Sequence, residues 1–335
     1  MMRPILSVIV PTFNSSNYII DLLHSINENF QKSKIEVVVV DDGSTDNTLN
    51  LVSDFSFNGN ISRQIIKLSH MGASHARNMG LRKSSGQYIM FCDSDDIIVD
   101  SIESILQGKN THQIISISKD VSSKNNGKFY QGSFNKAEIL ISMLLGHSSH
   151  FLSSEYSMGP YMKLFKRDFL KENNIMFPEN YNWWEDLLFN MQAVIKADSI
   201  NFIKFNYYKQ RENPNSVSHN MNRNSLNNAI RVLNDSQRIL SSLDLQLRKN
   251  VIGQLKILLI WSVFTGYFVF HPCKKDYDYF IERVSIEKYL WQIAPNLQSK
   301  LLAISLWAVG FYPTVLWYGT IKRLKNNLEK KNEKQ

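Results

Sequence analysis

Two hydrophobic periods alternate along the first hundred residues. Largely apolar runs occupy residues 5–10, 35–40 and 88–92, the pattern of strands covered on both faces. Between them, Tyr18, Ile19, Leu22, Leu23 and Ile26 recur at helical spacing, and Leu49, Val52 and Phe55 line one face of a helix starting near Asp46. A further strand is expected over 65–68 and a third helix over 72–82. This βαβ rhythm predicts an α/β fold around a mostly parallel sheet. Beyond about residue 143 the pattern is less regular, with residues 161–165, a helix over 185–197 and a strand over 200–205, and it reads as a lid and acceptor side. From Asn222 onward it is mainly helical, with breaks at His271-Pro272 and Ala294-Pro295. No repeat and no Gly-rich linker interrupts it.

Composition adds limits to this picture. The chain has 335 residues, is 43% apolar and contains two cysteines, so it is globular, large enough for one big domain plus a smaller one, and not held by a disulfide framework. No basic-then-apolar leader precedes the first strand-like run, and a reducing, cytosolic setting is expected. The net charge of +8 is concentrated in the tail from Lys322 to Lys334. No zinc finger or aromatic-studded RNA motif accompanies that tail, so an anionic membrane surface suits it better than nucleic acid. Nothing in the sequence excludes an oligomer.

Ligands of open α/β sheets collect at the carboxyl ends of strands. Here those ends are Pro11-Thr12-Phe13-Asn14, Asp41-Asp42-Gly43-Ser44 and Asp93-Ser94-Asp95-Asp96. Several carboxylates on one turn repel unless a cation sits among them, and a hard ion such as Mg²⁺ or Mn²⁺ takes one or two carboxylates and fills its shell with phosphate oxygens and water. A turn followed by a helix cap is the plainer explanation, but three acids directly after an apolar strand favour the ion. For the 41–46 segment, Gly43 permits the turn and Ser44 or Thr45 can cap the next helix, while Asp42 can accept a hydrogen bond from a nucleobase imide. In residues 72–80 the small residues Gly72, Ala73, Ala76 and Gly80 allow close packing and expose Arg77 near the crevice. Arg77 then either contacts a base or diphosphate or is simply a solvated arginine. Trp183-Trp184-Glu185-Asp186 joins two aromatics to two acids at a helix start. The helix dipole favours acids there; equally, a carboxylate beside aromatic rings can act as general base on a hydroxyl while Trp183 and Trp184 stack on a sugar, with Asp186 the better candidate than Glu185.

Taken together, the segments 7–14, 39–46, Ala76-Arg77-Asn78-x-Gly80 and Asp93-Ser94-Asp95-Asp96 resemble the family 2 glycosyltransferases of bacterial polysaccharide and lipopolysaccharide synthesis. The resemblance is close over roughly residues 5–100 and returns at Lys163-Leu164-Phe165 and Glu185-Asp186-Leu187-Leu188-Phe189. It implies a GT-A fold over residues 1–221, with a nucleotide-sugar-binding half (1–110) and an acceptor and lid half (111–221), followed by a helical region (222–335). It also implies an inverting transfer from a nucleotide-sugar donor, UDP being the nucleotide. By resemblance Pro11, Phe13 and Asp42 border the base, with Thr12, Asn14 and Ser94 beside them; Asp93 approaches the ribose or the metal, Asp95 ligates Mn²⁺ or Mg²⁺, and Asp186 is the base. Lys209 and Arg211 assist at the departing diphosphate, and His219 is a candidate lid residue. The Gln-x-x-Arg-Trp motif of processive members is missing, with Lys209-Gln210-Arg211 the nearest approach, so one sugar per acceptor is expected. His70, His75, His147 and His150 show no metal-ligand spacing and read as ordinary histidines.

Residues 301–321 carry no charge and contain Trp307, Phe311, Tyr312, Trp317 and Tyr318 before the basic tail. Pro313 and two glycines weaken a spanning helix, while aromatics beside Lys and Arg suit an interface. Peripheral or monotopic attachment to the inner face of the cell membrane and a buried helix are nearly balanced readings. Attachment makes a polyprenyl-linked glycan or a lipopolysaccharide core a fitting acceptor. Two rival functions are weaker. A sugar nucleotidyltransferase would place a Gly-rich loop after the first strand, and a carbohydrate-binding protein with a degenerate site would lack one of the acids.

Overall fold

The computed structural model describes residues 3–108, 112–118, 136–145, 156–211, 221–271, 273–285 and 314. Apart from Thr314, the 301–321 stretch lies outside the described residues, as do His147, His150, His219 and the break at Ala294-Pro295.

The chain forms two compact units, one built from Met1–Met143, Leu152–Tyr181 and Glu185–Pro214, the other from Leu144–Phe151, Asn182–Trp184 and Asn215–Gln335. In the first unit the strands are β1 (Leu6–Thr12), β2 (Ile35–Asp41), β3 (Ile61–Lys67), β4 (Tyr88–Phe91), β5 (Ile97–Ile98), β6 (Ile114–Ser118), β7 (Lys163–Lys166), β8 (Ile200–Lys204) and β9 (Tyr208–Lys209). Helices α1 (Ile19–Asn29), α2 (Thr48–Asp54), α3 (Ala73–Lys83), α4 (Glu103–Gln107), α5 (Lys136–Leu145), α6 (Arg167–Glu172) and α7 (Glu185–Lys196) run between them.

Seven strands form one sheet in the order β3-β2-β1-β4-β7-β6-β8. The pairs β1/β2, β2/β3, β1/β4 and β6/β8 are parallel, whereas β7 runs antiparallel to both β4 and β6. The expected α/β architecture is present, and the antiparallel β7 and the strand β6, Ile-Ile-Ser-Ile-Ser, are additions that the βαβ rhythm alone does not contain. The chain builds outward from β1 to β3 and then returns to the other side of β1 with β4, so the site lies where the strand order reverses. Every residue of β1 and β4 is buried, which is why these strands read as apolar runs rather than as alternation. A Cβ at Gly80 would overlap Ile9 Cγ2 and press on Val40 Cγ2; the glycine lets α3 lie directly on β1 and β2. Gly72 differs, since a Cβ there would meet nothing, and its φ of 91° is what the turn into α3 requires.

In the second unit, α8 (Arg223–Ile239) starts with a capping box between Asn222 and Ser225, and α9 (Leu245–Val263) is capped by Asp244. The chain continues through a π-helical stretch, Phe264–Phe268, and α10 spans Lys274–Val284; Pro272 of the anticipated break at His271-Pro272 lies outside the described residues. Asp276, buried, accepts from Tyr267 OH at 2.9 Å and pairs with Arg223 at 3.0 Å. Among the described residues, Leu245–Phe268 is long and apolar enough by length and composition to cross a membrane, and 61% of its most apolar window is buried within the protein.

Candidate active site

The ends of β1 and β2 are laced into one structure. Asn14 N donates to Ser44 Oγ at 2.9 Å and Thr45 N donates to Asn14 Oδ1 at 2.8 Å. Ser15 N donates to Thr48 Oγ1, and Asp46 accepts from Ser16 N and Thr48 N. Against the opposing effect of burial, the Thr48 hydroxyl, with the amides of Thr48 and Ser16, holds Asp46 down at about 2. Neither Ser44 nor Thr45 caps α2 as expected; Asp46, two residues before its first turn, accepts from that turn's first amide instead.

Asp42 is buried, with Oδ1 accepting from Met71 N at 2.7 Å and Oδ2 from Gly72 N at 2.8 Å. The carboxylate thereby ties the end of β2 to the turn after β3. That turn carries His70, whose ring lies 4.3 Å from the exposed Phe13 ring and whose Nδ1 is 3.4 Å from Asp42 Oδ2. Phe13, Asp42 and His70 thus line one edge of the crevice. His70 itself is largely exposed.

The acidic turn after β4 divides its residues between inside and outside. Ser94 and Asp96 point inward: Ser94 Oγ is 2.7 Å from Ser15 Oγ, and Asp96 accepts from Tyr208 OH at 2.5 Å and from Arg211 N at 3.1 Å. Asp96 caps no helix, since α4 begins only at Glu103. Burial, with the charges of Asp93 and Asp95 adding to it, pushes Asp96 up to about 7, against its hydrogen bonds. The small ribbon of β5 and β9, with Ile98 opposite Tyr208, brings these partners in; Tyr208 Oη also accepts from Asp93 N at 3.2 Å, and its ring stacks on Tyr161 at 5.7 Å. Asp93 and Asp95 remain partly exposed.

Arg77 corrects the sequence reading most. It is buried, not solvated, with 6% of its surface exposed. Its guanidinium is 3.0 Å from Asp93 Oδ1, 3.2 Å from Asp186 Oδ1 and 3.6 Å from Glu185 Oε1, and it lies 5.3 Å from the Phe177 ring centroid. Its Nε–H is buried with no hydrogen-bond partner among the described residues. The three carboxylates hold Arg77 protonated at any accessible pH, outweighing its burial. The sheet positions α3 through Gly80, and α7 delivers Glu185 and Asp186 in its first turn. Burial pushes Asp186 up to about 7, with Glu185 and Asp93 adding to the rise and Arg77 opposing it. An aromatic cluster of Phe91, Phe165, Phe177 and Phe189 packs behind this group, with Phe177 and Phe189 stacked at 4.0 Å.

The other expected residues fall as follows. Pro11 and Thr12 lie in the buried end of β1. Lys209 is exposed on β9. Arg211 donates to Asp95 O at 2.5 Å and Tyr18 O at 3.0 Å and pairs with Asp21 at 2.6 Å, which ties the acidic turn to the start of α1. Trp183 and Trp184 belong to the second unit, with ring centroids 6.1 Å apart. Trp184 has a left-handed φ of 64° immediately before α7.

No group of three or more His, Cys, Asp and Glu side chains among the described residues is arranged to hold a metal by itself. Asp93 and Asp95 offer two hard oxygen ligands in a turn where like charges already raise a neighbour's proton affinity. That donor set fits a cation shared with phosphate oxygens, and does not fit a metal caged by protein alone.

An open sheet with an acidic turn at its reversal point, a laced pair of strand ends and a buried arginine joining carboxylates from one helix and a turn defines a GT-A type α/β protein. Residues 7–173 match the family model for glycosyl transferase family 2, and the chain belongs to that family. Over 216 residues, 63% of this chain, it is 32% identical to the poly(ribitol-phosphate) beta-N-acetylglucosaminyltransferase TarS of Staphylococcus aureus (strain MW2); the match spans 36% of that relative's length. The fold is similar to that of residues 1–349 of S. aureus TarS in complex with UDP-GlcNAc, with a TM-score of 0.64, 21% identity and 92% of each chain covered. It is also similar to the mannosyltransferase PcManGT from Pyrobaculum calidifontis in complex with GDP-Man and Mn²⁺, with a TM-score of 0.52 and 17% identity, covering 98% of this chain and 89% of that one.

Proposed function

We propose that the protein is an inverting, non-processive glycosyltransferase that moves one sugar from a nucleoside-diphosphate donor, a UDP-sugar, to a hydroxyl of a glycan, polyol-phosphate polymer or polyprenyl-linked acceptor. The observation that carries this reading is the Arg77 group, in which one guanidinium holds Asp93 of the acidic turn and Asp186 of α7 in a single constellation. Phe13, Asp42 and His70 border the base at one end of the crevice. Asp93 and Asp95 hold the diphosphate end together with Mn²⁺ or Mg²⁺, which supplies positive charge to offset the charge growing on the leaving diphosphate.

Asp186 accepts the proton of the acceptor hydroxyl as its oxygen attacks the anomeric carbon and the bond to the donor's diphosphate oxygen breaks. A carboxyl raised to about 7 suits this task, because it binds the proton strongly yet is still substantially ionised near neutrality. Arg77 keeps that carboxylate oriented and limits the rise. The poly(ribitol-phosphate) acceptor in the name of the S. aureus relative supports a polymer acceptor, and the apolar C-terminal stretch supports attachment at the inner membrane surface.

The test is a donor screen with Mn²⁺, following release of nucleoside diphosphate with and without poly(ribitol-phosphate), soluble glycans and lipid-linked glycans. Release from one nucleotide sugar, increased by one acceptor class, is the expected result. A folded protein that neither transfers nor hydrolyses any nucleotide sugar would sink the proposal.

A further inference from the structure

Lys163 in β7 carries a fully buried ammonium that the proposed transfer does not use. Nζ donates to Ser157 O at 2.8 Å, Ser157 Oγ at 2.9 Å and Gly159 O at 2.6 Å, and lies 4.4 Å from the centroid of the Tyr156 ring. All of these partners are neutral. A buried cation without a carboxylate in contact is poorer for stability than an apolar side chain of the same size, so packing alone does not account for lysine here.

The same loop is gripped from the other side. Asn190, one helical turn after Asp186, donates through Nδ2 to Met158 O at 2.7 Å, Gly159 O at 3.3 Å and Asp186 O at 3.0 Å, and accepts from Tyr156 OH at 3.3 Å. Gly159 O is therefore shared by Lys163 and Asn190. A Cβ on Gly159 would overlap the Tyr161 ring, so the loop has no room to bend away. The charged groups acting on Asp186 are Arg77 from α3, Glu185 on its own helix, Asp93 from the acidic turn and Lys163 from β7. Asp186 in turn is the charge that acts on Lys163, opposing the lowering by burial to about 7.

We propose that Lys163 is a positioning residue for the base, which with Asn190 clamps residues 157–159 from both sides, fixes the first turn of α7 and adds a positive charge to the surroundings of Asp186. The clamp rests on the reading of Asp186 as the base, and its test separates the two. The full-length wild type, Lys163→Met and Ser157→Ala are treated with a water-soluble carbodiimide and an amine from about pH 5 to 9, a range that brackets a raised carboxyl. Site-resolved mass spectrometry then gives the labelling midpoint of Asp186 apart from Glu185.

Only the protonated carboxyl reacts, and losing a nearby cation favours that form. The midpoint should therefore rise by about one pH unit in Lys163→Met. It should move the same way, by less, in Ser157→Ala, where the ammonium loses one acceptor and gives up its proton more readily. In the transfer assay kcat should fall about tenfold or more, with donor KM within about threefold. Midpoints within about 0.3 unit of wild type in both variants would overturn the role, and if Lys163→Met does not fold, Ser157→Ala alone decides. Transfer retained by Asp186→Asn would remove the base reading while leaving a shifted midpoint intact. An unshifted midpoint beside an inactive Asp186→Asn would remove the Lys163 role alone.

Discussion

Arg77 and Lys163 are both buried cations, but the groups around them differ. Arg77 is surrounded by three carboxylates and is locked in its charged form. Lys163 is surrounded by two carbonyls, a hydroxyl and a ring, and burial brings it down to about 7. A guanidinium spreads its charge over a planar fork that can face several carboxylates at once, whereas an ammonium is a compact charge that gives up its proton when desolvated. The first arrangement gives a permanent charge between the acidic turn and the first turn of α7. The second gives a charge that responds to pH near neutrality.

The largest effect that would sharpen this contrast is at Asp186, the proposed base. Asp186→Asn should lower kcat by about 10²- to 10⁴-fold, measured as nucleoside diphosphate release, with stability changed little because Arg77 keeps Asp93 and Glu185. Arg77→Met leaves carboxylates facing each other without their cation. Removing one partner of a buried pair costs about 3–5 kcal/mol, and because these carboxylates keep 18–32% exposure the loss should fall near the lower end, about 3 kcal/mol in denaturant unfolding. A melting curve unchanged in Arg77→Met would break the comparison, since the fork would then be dispensable.

A smaller effect is the pH profile of the wild type. Asp186 must be ionised to take a proton, so kcat should rise with pH through about 7. Smallest is the pH dependence of stability at Lys163. Its folded value lies below its unfolded one, so between about 7 and 10 the unfolded chain binds more protons and the contribution to stability rises with pH. The difference in melting temperature between wild type and Lys163→Met should therefore grow from pH 7 to 10 in favour of the wild type. A difference that shrinks over that range would show that the lysine stays charged.

The sheet was legible because its signals are local. Val37 to Val40 and Val8 to Val10 declare buried strands by themselves, and the acids that follow β2 and β4 sit where an open sheet collects ligands. The burial of Arg77 was not legible: its partners Asp93 and Asp186 are 16 and 109 residues away, and a short helix lined with four small residues gives no sign of them when read alone. The inward turn of Asp96 was not legible because its partner Tyr208 is 112 residues away on a two-residue strand with no pattern of its own. Lys163 was visible only as part of a motif, since carbonyl acceptors leave no mark in sequence.

The hydrogen bonds that join Asn14 to Ser44 and Thr45, Ser15 to Thr48, and Ser16 to Asp46 have a consequence for anyone grafting these segments from a relative. The two strand ends behave as one interchangeable cassette. A graft that replaces residues 12–16 without 42–48, or the reverse, would separate halves that share their polar partners, so the natural unit of exchange is the pair.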